Sequence, residues 1–242
     1  MDKKDGGSAA RGVEMLKQAF FGGVAAGVAV GIGGAVFMAC DNRYVGAVLF
    51  SVALLSICYL GMYLFTGKVG YLGEEFTCDK LKCLGIGLLG NYLGATWCGL
   101  LVSLVRPALT LKALASCAVK LEYHPLVALG LGFFCGILMY IAVKVYAEKS
   151  TPLAILFCIP TFILAGFEHS IADMFYLALA RTFSPRSFLF LLMVVVGNAL
   201  GGVTLPLLRR LGEERKPREE DGPRAEEAPL PEYFFEENGG DA

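Results

Sequence analysis

The stretch AGFEHSIADMF, residues 165–175, follows the apolar run PLAILFCIPTFIL and carries a glutamate, a histidine and an aspartate. On insertion scales, a charged residue at the centre of a membrane helix costs about 2.5–3.5 kcal/mol. Ionisable residues at such depth are therefore rare and are functional by default. Glu168, His169 and Asp173 are the first candidates for a site inside a membrane.

The composition around this stretch is that of a polytopic membrane protein. Of the 242 residues, 56% are hydrophobic, whereas soluble domains have about 45–50%. Apolar runs of about 18 or more residues can span the hydrocarbon core. Such runs lie at 19–40, 45–65, 83–105, 126–143 and 187–208, and a sixth, at 152–180, contains the polar stretch. The sequence predicts an all-α protein with six transmembrane helices.

The distribution of positive charge predicts the orientation of these spans. With the N-terminus inside, the outer loops carry only six of the 21 Lys and Arg residues, which leaves 15 for the inner segments. The outer six are Arg43, Arg106, Lys112, Lys120, Arg181 and Arg186. Because cytoplasmic segments carry the excess of Lys and Arg, both termini are expected in the cytoplasm. The protein is expected in the plasma (inner) membrane.

The composition along the chain predicts three regions. Residues 1–18 are interpreted as a cytoplasmic N-terminal segment, and 19–208 as the six-span domain. From 209 to 242 the chain is rich in Glu, Pro and Gly. This tail has little apolar surface to bury, so we expect it to be disordered in the cytoplasm.

No metal, cofactor or nucleic-acid site is predicted. The eight cysteines form no C-x-x-C pair, and the chain has only two histidines, so the cysteines are interpreted as small packed hydrophobic residues rather than zinc ligands. GIGLLG at 85–90 matches a dinucleotide-binding pattern. It lies inside an apolar span, however, without the preceding strand that the pattern requires.

An internal repeat indicates two halves of opposite orientation. GNYLG at 90–94 recurs as GNALG at 197–201, and the second and fifth spans are both interrupted, by LFTGKVG at 64–70 and GFEHS at 166–170. Three spans followed by three similar spans form an inverted 3+3 repeat, in which the substrate site lies near the midplane between the interrupted helices. The alternative is a chance match among the 30 glycines.

The interruptions predict which side chains meet. Broken backbone at membrane depth must be buried in protein or line a cavity, so Thr66 and His169 are expected to face each other across a pathway. A neutral imidazole offers one donor and one acceptor and can exchange a proton. Alternatively, His169 only ties the broken helix to its neighbour. Glu168 is expected to satisfy loose backbone N–H groups, and Asp173 to cap a half-helix that begins near Ile171.

Taken together, these motifs resemble the formate/nitrite transporter family over nearly all of 19–208. The family's fifth-helix motif, G-[FY]-E-H-S-[IV]-A-[ND]-M, is matched in full by residues 166–174. The second-helix motif appears as GMYLFTG at 61–67, with a departure at Tyr63, where an acidic or small polar residue is usual. The fourth-helix motif appears as GFFCGIL at 132–138, with Gly136 in place of asparagine.

The resemblance implies an aquaporin-like fold assembled as a homopentamer, with one pore per protomer. His169 and Thr66 would be the central histidine and its threonine partner, and Lys120 the vestibule lysine that attracts anions. One apolar constriction would consist of Phe50, Leu54 and Phe162, and the other of Leu64, Phe65 and Met139. Support for the broken helices would come from Glu168, Ser170, Asn91 and Asn198. The asparagine missing at position 136 is expected to remove a polar group near the inner constriction.

The function implied is transport, not catalysis. The substrate would be a small monovalent anion of a weak acid, most commonly formate in this family, moved through the lipid bilayer together with a proton. Nitrite, hydrosulfide, acetate and lactate are alternatives within the family. A neutral-solute or water channel is another, although the chain has no Asn-Pro dipeptide. A hydrolase that pairs Ser170 with His169 is disfavoured because adjacent helical residues do not face each other.

Overall fold

The computed structural model of the chain describes residues 4–213, with side chains described from residue 11 onward. All regular secondary structure in this range is helical. The helices are α1 Lys4–Ala39, α2 Arg43–Tyr59, α3 Phe65–Lys68, α4 Tyr71–Glu74, α5 Cys78–Val105, α6 Pro107–Leu121, α7 Pro125–Lys149, α8 Leu153–Ala165, α9 Ser170–Leu179 and α10 Pro185–Glu213. The predicted all-α class is confirmed.

Several of these helices are built to cross a membrane. In the described part of the chain, α1, α5, α7 and α10 are long and apolar enough to do so, and α8 with α9 forms a further candidate span that bends by 57°. Helix α2 is apolar but has only 17 residues, a length of about 25 Å at 1.5 Å per residue. Five of the six predicted apolar runs coincide with one of these helices or with the α8–α9 pair, whereas the run 45–65 continues past the end of α2 at Tyr59.

Close contacts between helix backbones hold the pairs α1–α5 and α7–α10 together. A β-carbon on Gly27 of α1 would lie 2.3 Å from the carbonyl oxygen of Asn91, and one on Gly136 of α7 would lie 2.2 Å from that of Asn198. The expectation that Gly136 removes a polar group from a constriction is therefore wrong. This position faces the α10 backbone, which approaches too closely for any side chain.

Helix α6 was not predicted, since its residues were assigned to an outer loop. It begins with Pro107 in the first turn, a position that proline favours because its fixed φ suits the helix and its missing N–H would be unpaired there. Leu109, Ala113 and Cys117 recur every four residues and are buried against the protein. Its last turn contains Lys120, so this short helix positions the lysine side chain in the interior of the protein.

The helix ends differ from the predicted region boundaries. Helix α1 extends through residues 4–18, which were assigned to a separate N-terminal segment, and α10 continues past 208 to Glu213. The remainder of the predicted tail, 214–242, lies outside the described residues.

Candidate functional site

Two interruptions lie at the centre of the protein. The first break, residues 60–64, separates α2 from α3, and the second break, residues 166–169, separates α8 from α9. At the first break, Asn91 of α5 accepts a hydrogen bond at Oδ1 from the Phe65 N–H, at 2.9 Å. Its Nδ2 donates to the carbonyl oxygens of Tyr63 and Gly23, both at 2.8 Å.

Asn198 of α10 repeats this arrangement at the second break. Its Oδ1 accepts from the Ser170 N–H at 2.9 Å, and its Nδ2 donates to the carbonyl oxygens of Gly132 at 2.8 Å and Glu168 at 2.9 Å. Both asparagines are fully buried. At each break, one amide thus binds an N–H and a carbonyl group that have no helical partner, as interrupted helices require at this depth, and a second carbonyl on a neighbouring helix.

The matched hydrogen bonds show which residues hold equivalent places. Phe65 corresponds to Ser170, because each donates its N–H to the anchoring asparagine. The residue before each, Leu64 and His169, is therefore the equivalent pair. Thr66 and His169 are partners across the two breaks rather than copies of one position.

The structure brings Thr66 and His169 together. Thr66 Oγ1 and His169 Nε2 lie 2.8 Å apart, and the two residues are 0% and 4% exposed. His169 Nδ1 accepts a hydrogen bond from the Ala172 N–H at 3.2 Å, as the N-cap of α9. Since Nδ1 accepts, the ring hydrogen of the neutral imidazole belongs on Nε2, which then donates to Thr66.

The second break therefore differs from prediction in how its helix is capped. Asp173 was expected to cap or stabilise the half-helix and Glu168 to satisfy backbone N–H groups; His169 performs the capping, and Asp173 lies in the first turn of α9. Ser170 supports the break through its N–H. Its Oγ is buried with no hydrogen-bond partner in the described range.

The residues of the first predicted constriction pack together on one side of the imidazole, with Phe162 in contact with it. The Phe162 ring stacks on His169 at 5.8 Å, and Phe50 meets Phe162 edge-on at 6.3 Å. Leu54 is buried in the same apolar cluster as these phenylalanines. An apolar ring of this kind excludes water and disfavours a bare ion.

The second predicted constriction is only partly assembled. Leu64 and Met139 are buried in the cluster that also contains Phe162. Phe65, however, packs in a separate cluster with Val69 and Leu84. Phe65 is the first residue of α3, and its assignment to this constriction stays a prediction.

A cavity of about 360 Å³ lies on one side of His169 and is called here the vestibule cavity. Its charged lining residues are Arg43, Lys120, Glu168 and Asp173, and Phe50 and Phe162 also line it. It lies at the face where α1 ends and α2 begins.

Lys120 is bound between two carboxylates in this cavity. Its Nζ contacts Glu168 Oε2 and lies 2.7 Å from Asp173 Oδ1. The Tyr176 ring lies 5.5 Å from the same ammonium. Asp173 Oδ2 is buried without a hydrogen-bond partner in the described part of the chain. The lysine predicted to attract anions is thus compensated by carboxylates, which the sequence pattern did not indicate.

A second charged cluster lies at the opposite face, where α7 ends. Lys144 Nζ contacts Glu74 at 2.9 Å and Glu148 at 3.2 Å, and the Tyr140 hydroxyl donates to Glu74 at 2.8 Å. Lys68 of α3 lies with its Nζ 5.9 Å from the centre of the Tyr63 ring. Between residues 4 and 213, no group of three or more His, Cys, Asp or Glu side chains could hold a metal ion.

Comparison with known proteins places this geometry in context. The sequence profile of the formate/nitrite transporter family matches residues 7–210. A formate-nitrite transporter of Plasmodium ovale is 29% identical over 227 residues, 78% of this chain and 72% of that protein. The formate channel FocA of Haemophilus influenzae is 27% identical over 149 residues, 55% of this chain and 52% of FocA.

Solved structures share the fold. A pentameric formate channel with formate bound superposes with a TM-score of 0.72 at 24% identity, covering 84% of this chain and 99% of that channel. A structure described as an FNT family ion channel gives the same TM-score and identity, covering 87% of this chain and 93% of that one.

Proposed function

The chain belongs to the formate/nitrite transporter family, and on this premise we propose that it carries small monovalent anions of weak acids, formate foremost, each with a proton. The observation that supports this most is the buried 2.8 Å contact between Thr66 and His169, where the two breaks meet. Formate is favoured among the substrates because one relative is a formate channel and one structural neighbour has formate bound.

The proposed architecture is a six-span, aquaporin-like inverted 3+3 repeat with broken second and fifth spans. The two asparagine anchors support it, because each satisfies the same three kinds of backbone group. A homopentamer is proposed from the pentameric neighbour. The bias of Lys and Arg supports a plasma-membrane location with both termini in the cytoplasm.

The apolar ring decides in which form the substrate crosses. An ionised carboxylate without a partner is very unfavourable in a medium of low dielectric constant. An anion that enters the vestibule cavity loses part of its hydration, which makes it more basic. It then takes up a proton and passes Phe50 and Phe162 as a neutral acid. Uptake of the anion is thereby coupled to uptake of a proton.

The Thr66–His169 pair is suited to bind the acid at the narrowest point. Because His169 Nε2 donates to Thr66 Oγ1, the hydroxyl hydrogen of Thr66 remains available to donate to a substrate oxygen. His169 relays this proton: Nε2 gives its hydrogen through Thr66 to the substrate oxygen, and Nδ1 takes up a proton from solvent. That exchange breaks the hydrogen bond from the Ala172 N–H, so each passage would open the cap of α9 briefly.

The geometry does not support the hydrolase alternative. A serine nucleophile needs a base within hydrogen-bond reach. Both ring nitrogens of His169 are engaged, by Thr66 and by the Ala172 N–H. The Ser170 hydroxyl has no such partner in the described range. Membership of a transporter family agrees with a protein that is not an enzyme.

The test is a substrate series in proteoliposomes that contain a pH-sensitive dye. Formate, nitrite, hydrosulfide, acetate, lactate and glycerol are each applied by stopped-flow at two external pH values. We expect formate to enter fastest, to enter faster at the lower pH, and to acidify the lumen. A formate uptake rate that is the same at both pH values, without acidification of the lumen, would refute proton coupling. Faster passage of glycerol than of every anion would favour the neutral-solute channel.

A further inference from the structure

We infer that Arg43, and not Lys120, is the residue that binds the incoming anion in the vestibule cavity, and that its guanidinium favours planar anions with two oxygens. This inference rests on the proposed function and adds a substrate-binding residue to it. Its basis is the charge and geometry of the side chains that line the cavity.

Lys120 is compensated by more negative charge than it carries. Two buried carboxylates, those of Glu168 and Asp173, contact its single ammonium group. When all three are ionised, this group has a formal charge of −1. In that charge state, an anion approaching Lys120 meets two carboxylates at the same place, and with Asp173 neutral the cluster still carries no net positive charge to attract it.

Arg43 contributes a further positive charge to the same cavity. It is the first residue of α2, it is exposed, and it lines the same cavity. Its Nη2 donates to the carbonyl oxygens of Ile163 at 3.0 Å and Leu164 at 3.4 Å. Among the described residues no carboxylate forms an ion pair with it within 4.0 Å. A guanidinium has five N–H donors, so several remain for a ligand.

Two neighbouring cations at this face have carboxylate partners. Lys112, which donates to the Met38 carbonyl at the cavity wall, lies 3.7 Å from Asp41. Arg186 lies 3.3 Å from Glu122. Arg43 is thus the cavity-lining cation, within the described chain, whose positive charge is not offset by a carboxylate.

The position of Arg43 places a bound anion beside the entrance to the apolar ring. The carbonyl groups that hold its guanidinium belong to the two residues after Phe162, and the Phe162 ring stacks on His169. A planar guanidinium matches a planar two-oxygen anion with two parallel hydrogen bonds. Formate, nitrite and acetate have this shape, whereas hydrosulfide does not.

The experiment measures initial uptake and efflux against substrate concentration in cells that express each variant, so that both faces are sampled. For formate, Arg43→Gln should raise KM about tenfold, the loss expected for one charged hydrogen-bonding group. Arg43→Lys should raise KM for formate less, because the positive charge remains and only the paired, coplanar N–H donors of the guanidinium are lost. KM for hydrosulfide should change by a smaller factor than KM for formate or nitrite.

Asp173→Asn supplies the opposite perturbation. Removing one carboxylate should lower KM for formate, and the double variant Arg43→Gln/Asp173→Asn should return toward the wild-type KM. Arg106→Gln is the matched control, since Arg106 is exposed and lies outside the cavity lining. It should leave KM unchanged.

Two outcomes would overturn the inference alone. One is an unchanged KM in Arg43→Gln while the wild-type protein transports formate normally. The other is an equal loss of maximal rate and thermal stability in Arg43→Gln and Arg43→Lys without a change in KM. That result would mean that Arg43 only stabilises the end of α8 through its hydrogen bonds to the carbonyl groups there. A wild-type protein that transports none of these anions would instead refute the proposed function, and the inference with it.

Discussion

The first and second breaks share one backbone arrangement but carry different side chains. In each, an asparagine from a neighbouring helix binds one N–H and two carbonyl groups. The residues before the restarted helix are Tyr63 and Leu64 at the first break and Glu168 and His169 at the second. Because the asparagine side chain binds the backbone groups of each break, the side chains of the break residues are not needed for that purpose and can differ.

The contrast extends into the helices that follow. The fourth residue of α3 is Lys68, which lies over the Tyr63 ring, whereas the fourth residue of α9 is Asp173, which binds Lys120. All ten residues of α9 are buried. Most side chains of the proposed pathway therefore lie at the second break, and the first contributes mainly Thr66. The two breaks share the asparagine anchor and differ in the side chains that are proposed to act on the substrate.

The largest expected effect tests whether the scaffold is shared. Asn91→Leu and Asn198→Leu each leave two buried backbone groups of a break without a partner, and each such group costs about 1–3 kcal/mol. We expect both variants to lose about 2 kcal/mol or more of stability, by similar amounts. Thermal unfolding in detergent measures the loss.

Asn42→Ala is the control for this pair. Asn42 caps α2 at the exposed end of that helix, and losing a cap costs about 1 kcal/mol. If only one of the two buried asparagines proved important for stability, the two breaks would not be equivalent scaffolds.

The next effect concerns the helix contacts behind each break. Gly27→Ala and Gly136→Ala place a methyl group 2.3 Å and 2.2 Å from a backbone oxygen, and such overpacking costs about 1–3 kcal/mol. Gly85→Ala is the matched control, because nothing lies within 4 Å of its β-carbon. We expect lower unfolding temperatures for the first two variants only. Tolerance of Gly136→Asn, the residue usual in the family motif, would contradict the close approach described.

The smallest effect separates the two halves of the Thr66–His169 contact. Thr66→Val keeps the shape but removes the hydroxyl that binds Nε2, which costs about 1 kcal/mol for a lost hydrogen bond. We expect the formate uptake rate to fall about fivefold, because a factor of ten corresponds to about 1.4 kcal/mol in the barrier. Thr66→Ser should keep most of the rate. Full activity in the valine variant would remove Thr66 from the pathway.

Much of this arrangement follows from the sequence. The apolar runs gave the membrane helices, and the ionisable residues inside one of them located the second break. The paired asparagine motifs identified both anchors. Each of these signals is local, since hydrophobicity and motif spacing are properties of a few consecutive residues.

What was missed depends on contacts between distant parts of the chain. Lys120 contacts Glu168 and Asp173 only because α6 packs against α9, and no local sequence pattern predicts that contact. The capping role of His169 depends on where α9 begins, which sequence patterns locate only within a few residues. Gly136 could not be interpreted without the path of α10, whose backbone fills the space of a side chain.

The central claim is that the imidazole of His169 couples anion passage to a proton. His169→Asn tests it most directly, because asparagine is a good N-cap and keeps α9 in place but does not titrate. Formate uptake and lumenal acidification are recorded together in proteoliposomes with an inward proton gradient. We expect the variant to fold and to lose nearly all gradient-driven uptake. Undiminished uptake with undiminished acidification would contradict the claim.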